Sequence, residues 1–280
     1  MNRLERIAAA TETLKIIERG QYQNRLGETV QIAEAAETAI RESQLLAPAD
    51  FPALLAERDA LTIAHTTTRF SVQNETTLQA AARLAQYSNK VFCLNFASAK
   101  NPGGGFLTGA QAQEESLARS SALYPCTVQM QEMYRTNRAT RTCLYTDYMI
   151  YSPAVPVFRN DDGELLDTFF TASFLTAPAV NAGVVRAQEK DKIEQIRPVM
   201  MARTEKVLSI ALTKGYRHLV LGAWGCGVFQ NDPAEVAACF SEHLKENPVF
   251  RNVFEEVVFA VLDHSPDQRI IRPFVEAFSL

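Results

Sequence analysis

A chain of 280 residues, 47 % of them apolar, can bury a sizeable core as one large domain or two small ones, and its apolar runs are too short to cross a bilayer. Its net charge of −4, with no run of lysine and arginine, argues against a general nucleic-acid binder; an anionic ligand must be held by backbone amides rather than by a positive field. The five cysteines are odd in number and form no C-x-x-C pair, and the four histidines show no H-x-x-x-H spacing, which argues against a disulfide framework and a protein-ligated metal.

The opening "MNRLERIAAATETLKIIERG" has charges at helical spacing and no unbroken apolar segment or cleavage site. It reads as a helix that stops at Gly20, not as a signal peptide, and the protein is expected in the cytoplasm. "YQNRLGETVQI" predicts a hairpin around Gly27, and "AEAAETAIRESQLL" a second helix. "RFSVQN" is strand-like, "ETTLQAAARLAQYS" is helical with Asn74 or Thr76 as cap, and "KVFCLNFA" is a buried strand in which Cys93 is a small hydrophobe. "DYMIYSPAV" and "TFFTASFLTAPAV" read as strands that end in proline turns. "QEKDKIEQIRPVMMARTEKVLSIALTKG" reads as a long helix closed by Gly215, with a kink or a new start at Pro198. "RHLVLGAWGCGVF" is a strand and a glycine loop, "DPAEVAACFSEHLKEN" a helix capped by Asp232, and "FEEVVFAVLD" the last strand. The tail "DQRIIRPFVEAFSL" reads as a closing strand and helix. This alternation predicts an α/β fold, a sheet with helices on both faces, with the N-terminal helices as an appended element.

Two glycine loops follow apolar strands, where α/β folds place ligands. They are "NPGGGFLTGAQ" and "GAWGCGVFQND". Their backbone amides can approach an anion closely, which suggests a diphosphate clasped from both sides. A P-loop fails, because Ala110 and Gln111 replace its lysine and hydroxyl. Gly103, Gly105 and Gly109 are one residue too long for G-x-G-x-x-G, which leaves a dehydrogenase as a weak alternative. Glu114 and Glu115 follow the first loop. Adjacent glutamates are common on solvated helix starts, where the dipole favours them, yet a glutamate kept protonated in a dry site is also what glycoside cleavage needs. Cys226 can be read as a nucleophile on a tight turn or as a small residue fitting close to phosphate; the second is preferred.

Together these residues resemble poly(ADP-ribose) glycohydrolases. "PGGGFLTGAQAQEESLARSSALY" matches the family's triple glycine, short spacer and Gln-Glu-Glu, and "LNFASAKNPGGG", "YSPAVPVFR" and "LGAWGCGVFQNDP" resemble its microbial branch. The resemblance runs from about Arg69 to Asp263, and the N-terminal helices resemble that branch's extension. It implies a macrodomain-like α/β/α sandwich with a mixed central sheet, a single unit over 1–280 in which 1–60 is a helical extension and 61–280 the core. By position it implies Glu115 as catalytic acid and Glu114 as the neighbour that orients the distal ribose. Gly103, Gly104, Gly105 and Phe106 would line the pyrophosphate and distal ribose. Gly225, Cys226, Gly227 and Val228 would hold the pyrophosphate from the other side, and Phe229 would stack on adenine. Asn95, Ser98 and Asn101 are candidate ribose contacts, and Gln113 belongs to the signature.

The implied activity is cleavage of ribose–ribose bonds of poly(ADP-ribose), mainly from chain ends. It needs no cofactor and no metal, and involves neither a membrane nor direct nucleic-acid binding. The partners are the polymer and ADP-ribose, on ADP-ribosylated proteins, and the enzyme is expected as a monomer. A macrodomain that binds ADP-ribose without cleaving it is the alternative from another class, against which Gln113, Glu114 and Glu115 speak. A mono-ADP-ribosyl hydrolase is the alternative within enzymes.

Overall fold

A computed structural model describes residues 1–278. Helix α1 (Arg3–Arg19) is capped by Asn2 and closed by Gly20 in the left-handed conformation. The hairpin β1 (Gln21–Gln23) and β2 (Thr29–Gln31) follows, then α2 (Ala33–Glu42), β3 (Gln44–Leu46) and α3 (Phe51–Asp59). Next come β4 (Arg69–Gln73), α4 (Thr77–Leu84), β5 (Val91–Phe96), α5 (Gln113–Ser120), α6 (Leu123–Val128) and α7 (Gln131–Ala139). The second half holds β6 (Met149–Arg159), β7 (Leu165–Ala177), α8 (Ala182–Gln188), α9 (Ile196–Thr213), β8 (His218–Leu221), α10 (Pro233–Ser241), β9 (Glu256–Ala260) and α11 (Arg272–Phe278). Among the described residues no helix is long and apolar enough to cross a membrane.

Side chains alternate along a strand, so a strand with several apolar residues in succession must be covered on both faces. In β5, Val91 and Cys93 enter one core with Leu78, Ala81 and Leu117, while Phe92 and Leu94 enter the other with Leu208, Leu212 and Phe240. The seven-stranded sheet runs β3-β6-β7-β5-β8-β9-β4, with parallel pairing from β7 to β4 and antiparallel pairing at β7/β6 and β6/β3. Helices α2, α4, α5 and α6 supply one face, and α3, α9, α10 and α11 the other. This is the mixed-sheet sandwich the sequence implied. The edge strand β3 comes from the first sixty residues, so that stretch completes the sheet as well as adding helices.

Four local expectations change. The second helix stops at Glu42, because Ser43 turns extended and its hydroxyl bonds back to Ala39 O; residues 44–46 then pair with β6. Strand β6 continues through Pro153 and Pro156 instead of ending there. Beyond Tyr151 no strand among the described residues pairs with its outer side, which meets only the isolated bridge of Ser121 to Val157 with Ala122 N–H donating to Pro156 O. The prolines therefore cost no bond to β3, and a bulge at 152–155 with Ala154 at φ 43 absorbs the bend. The long helix divides into α8, a 3₁₀ turn at Lys190–Gln195 and α9, with Pro198 in the first turn of α9: a new start. The tail forms α11 but no strand, and its last two residues lie outside those described.

The loop that follows α7 is fixed by one buried cation. Arg203 on α9, 1 % exposed, donates to Asp147 Oδ1 (2.9 Å), Pro178 O (3.0 Å) and Leu144 O (3.1 Å). Removing it leaves two carbonyls without a partner and Asp147 with Lys206 alone. Arg203→Met is expected to destabilise the protein by roughly 3 kcal/mol in urea unfolding; a loss under about 0.5 kcal/mol would show that water replaces the guanidinium there.

Candidate active site

The first wall of the cleft is the turn from β5 into α5. Gln113 fastens the two elements. Its Oε1 accepts from Phe96 N–H (2.8 Å), and its Nε2 donates to Leu94 O (2.8 Å) and Thr77 Oγ1 (3.0 Å). This points the next two side chains into the loop above. Glu114 is 3 % exposed and its Oε2 accepts from Ser98 N–H at 2.7 Å. Burial pushes its pKa up to about 8; the Ser98 amide opposes this and the charge of Glu115 adds to it. Glu115 is 9 % exposed and its Oε1 accepts from Gly105 N–H at 2.9 Å. Glu114 Oε1 and Glu115 Oε2 are buried and have no hydrogen-bond partner among the described residues.

The triple glycine turns out to serve the acids first. Gly104 lies at φ +58, and a Cβ there would stand 2.3 Å from Glu115 Oε1 and 3.1 Å from Glu114 Oε2. Only glycine lets the loop cross so close above two carboxyl groups. The loop's amides are largely spent within it: Gly104 N–H goes to Asn101 O, Gly105 N–H to Glu115 and Phe106 N–H to Gly103 O. The expectation that Gly104 and Gly105 amides grip a diphosphate is therefore revised. Phe106 is 1 % exposed and packs on Tyr124, with ring centres 4.7 Å apart, and on Ala10 and Ala118; its side chain is core, not lining. Asn95 is fully buried, donating to Thr176 Oγ1 at 3.0 Å, and stands beneath the cleft rather than in it. Ser98 and Asn101 do reach the cleft, and Ser98 Oγ accepts from the Asn101 amide at 3.2 Å.

The second wall is the loop after β8. Trp224 Nε1 donates to Ala177 O (2.9 Å), and Asn231 Nδ2 to Val180 O (2.7 Å) and Gly225 O (3.2 Å). With both ends tied, Gly225, Cys226, Gly227, Val228 and Phe229 line the cleft opposite the acids. The amides of Gly227, Val228 and Phe229 donate to no group among the described residues, a Cβ on Gly227 would meet nothing within 4 Å, and Val228 is 82 % exposed. These are the free donors an anion needs. The Cys226 thiol is raised by burial and stays neutral, with only Trp224 O within reach at 3.9 Å, so it is not an activated nucleophile. Phe229 lies beside Tyr145, ring centres 5.8 Å apart, on the side of the loop that follows α7. Tyr145 itself is held at φ 59, a conformation its sequence context did not announce.

The other end of the cleft is apolar and was not singled out in the sequence. Leu78, Phe96, Ala260, Val261 and Ile270 line it, with Thr76 and Thr77 at the start of α4 and His264 at the rim. The carboxyl ends of β4 and β9 were the available signal, since ligands gather at such ends. Asp263 organises the closing segment, accepting from Ser265 N–H (2.8 Å), Ser265 Oγ (2.6 Å), Ile270 N–H (2.8 Å) and Ile271 N–H (3.0 Å). The whole cleft measures about 750 Å³, room for a dinucleotide-sized ligand. No group of three or more His, Cys, Asp or Glu side chains among the described residues is placed to hold a metal ion.

Glu114 gives the site a pH signature. Between 4.5, its ordinary value, and about 8, the folded protein keeps a proton that the unfolded chain has released. Unfolding therefore releases a proton in that window, and the contribution of Glu114 to stability is full below pH 4.5 and lost as pH rises towards 8. Each unit is worth about 1.4 kcal/mol. Glu114→Gln is expected to flatten the fall of Tm between pH 5 and pH 8 and to raise Tm at pH 8; parallel Tm curves for the two proteins would contradict a buried, proton-retaining Glu114.

The model of the microbial-type PARG catalytic domain matches residues 10–160. The structure is similar to that of poly(ADP-ribose) glycohydrolase from Thermomonospora curvata, with 45 % identity, 99 % of this chain and 100 % of that chain covered, and a TM-score of 0.93. It is similar to the same protein bound to the inhibitor ADP-HPD, at 44 % identity over 99 % and 100 % of the two chains, with a TM-score of 0.91. It also resembles poly(ADP-ribose) glycohydrolase from Deinococcus radiodurans in complex with ADP-ribose, at 42 % identity, 87 % of this chain and 97 % of that one, with a TM-score of 0.81. Comparison with curated proteins gives no match. A domain match over more than half the chain, joined to whole-chain likeness at this identity, means that the chain belongs to the microbial-type poly(ADP-ribose) glycohydrolase family.

Proposed function

We propose that this protein hydrolyses the ribose–ribose O-glycosidic bonds of poly(ADP-ribose) and releases ADP-ribose, with Glu115 as general acid and base. One observation carries the reading. Glu115 sits in the cleft wall with one oxygen fixed by the Gly105 amide and the other, Oε2, buried with no hydrogen-bond partner among the described residues, the kind of uncompensated polar atom that catalytic sites keep. The likeness to relatives described as bound to ADP-ribose and ADP-HPD supports the ligand class.

The ligand's parts fall to matching surfaces. The diphosphate lies against the free amides of Gly227, Val228 and Phe229. Adenine enters the apolar end at Leu78, Val261 and Ile270, and Phe229, on the Tyr145 side, borders the distal ribose instead of stacking on adenine. The distal ribose lies over Glu114 and Glu115. Glu115 gives its proton to the departing 2′-oxygen, the C1″–O bond breaks, and an oxocarbenium-like centre forms beside the diphosphate. Water attacks C1″ and returns its proton to Glu115, so the enzyme ends as it began. Glu114 is largely protonated at neutral pH, so two adjacent carboxyl groups can share the site without two charges, and its O–H can donate to a ribose oxygen.

Cleavage from chain ends fits the closed apolar end. The segment after Asp263 covers the side on which the adenosine ribose of an internal unit would have to continue, and four hydrogen bonds to the Asp263 carboxylate hold it. We place the enzyme in the cytoplasm, acting on chains carried by ADP-ribosylated proteins.

Glu115→Gln should bind ADP-ribose with a Kd within about threefold of wild type, yet lose roughly 10²–10⁴ in kcat on purified polymer. Full turnover in that variant would remove Glu115 from the chemistry; binding by both proteins with cleavage by neither would leave a reader module. Asp263→Asn should loosen the cover and add internal cleavage, seen as mid-length chains early in a time course on long polymer. A product pattern of ADP-ribose alone, unchanged from wild type, would show that this segment does not set the cleavage mode.

A further inference from the structure

The first turn of α1 is docked onto the end of the glycine loop. A Cβ on Gly109 would stand 2.7 Å from Arg3 O and 3.0 Å from Ile7 Cγ1, so the glycine admits the helix at this distance. Arg3 Nε donates to Thr108 O (3.1 Å) and Arg6 Nε to Gly109 O (2.8 Å). Each guanidinium is held through its Nε–H by a backbone carbonyl, and neither meets a carboxylate among the described residues. The nearest candidate on their own helix, Glu5, is turned back onto the Asn2 amide at 2.6 Å. Beneath the same stretch lies Arg119, 1 % exposed, which donates to Ala110 O (2.8 Å), Gln111 Oε1 (2.5 Å) and Ser116 Oγ (3.3 Å), again with no carboxylate as partner. In a chain of net charge −4, two arginines without a carboxylate hydrogen-bond partner among the described residues thus gather at one rim, above a buried third.

That rim adjoins the reacting bond. A Cβ on Gly105 would lie 3.9 Å from Glu115 Oε1 and 3.4 Å from Thr108 Oγ1, so the acid and the edge that binds Arg3 both come close to this one residue. Thr108, Ala110, Gln111 and Ala112 are exposed there. Resting on the reaction proposed above, the departing group is the next unit of the chain. It leaves through the 2′-oxygen of its adenosine ribose, and the 5′-carbon of that same ring carries a diphosphate. The departing unit therefore brings negative charge one ribose away from the bond that breaks, on the outer side of Glu115. We propose that Arg3 and Arg6 form a subsite for the diphosphate of the departing ADP-ribose unit, distinct from the amide-lined site that holds the diphosphate of the released one.

The test compares two leaving groups on one enzyme. Substrates are purified poly(ADP-ribose) and an aryl glycoside of ADP-ribose, whose leaving phenol carries no phosphate. Variants are Arg3→Gln/Arg6→Gln, which removes the charge, and Arg3→Lys/Arg6→Lys, which keeps the charge but loses the Nε bonds to the loop. The glutamine variant is expected to lose about tenfold in kcat/KM on polymer at low salt, the gap narrowing as salt is raised, with a change under about twofold on the aryl glycoside. The lysine variant should retain most of the polymer activity. Equal losses on both substrates would mean that the arginines only brace the loop, and unchanged polymer kinetics would mean that they touch nothing; either result overturns the subsite. Wild type failing on polymer is a separate outcome, which sinks the reaction on which the subsite rests.

Discussion

The site depends on burying two carboxyl groups side by side. Adjacent glutamates on a solvated helix start would both ionise and do nothing. Here Gln113 locks the start of α5 to β5 and α4, so that Glu114 and Glu115 must project under the preceding loop. The loop meets them with two amides, Ser98 N–H on one and Gly105 N–H on the other, and with a missing Cβ at Gly104. Each device offsets part of the cost of burying an acid, and none supplies a full positive charge. The cost that remains appears as the raised pKa of Glu114, and it leaves one oxygen on each carboxyl without a partner. Such uncompensated groups are tolerated where a ligand will meet them.

The rest of the fold can be read as support for that arrangement. The parallel part of the sheet brings the ends of β5 and β8 to one edge, so that the two loops face each other. Trp224 and Asn231 pin the second loop to the end of β7 and the residues after it, which leaves its middle amides without an acceptor among the described residues. Arg203 holds the loop after α7, whose Tyr145 packs beside Phe229. The first sixty residues are not a passive addition: β3 completes the sheet and α1 braces the glycine loop at Gly109.

Much of this was legible in the sequence, for identifiable reasons. Strand β5 declared itself by the consecutive apolar residues Val91 to Leu94, and the caps Thr76 and Asp232 accept the amide bonds their residue types favour. What failed was local chemistry overruled by neighbours. "ESQLL" continues a helical pattern, but β6 offers Gln44–Leu46 a ladder. Pro153 and Pro156 look like strand ends, yet they lie beyond the stretch of β6 that pairs with β3. In the site, the glycines were read as grips for phosphate, because spacing shows where an amide is but not what it already bonds. The apolar end escaped notice because Leu78, Val261 and Ile270 are ordinary core residues in sequence and become a lining only when distant strand ends meet.

The division between amides and arginines has a physical basis. A cation within a few ångströms favours the ionised form of a carboxyl group, and an ionised Glu115 has no proton to give. An arginine bound to the inner diphosphate would lie beside the distal ribose and hence beside that acid. Backbone amides hold the same phosphate with partial charges that act over a shorter range. The nearest buried cation, Arg119, is held by Ala110 O, Gln111 and Ser116 rather than by the carboxylate. Full positive charges are better placed outside the loop, where solvent screens them and where, on the proposal above, the departing unit emerges. On this view the net negative charge of the chain presents no obstacle to binding a polyanion: attraction is concentrated where the charge does not disturb the proton that the reaction requires.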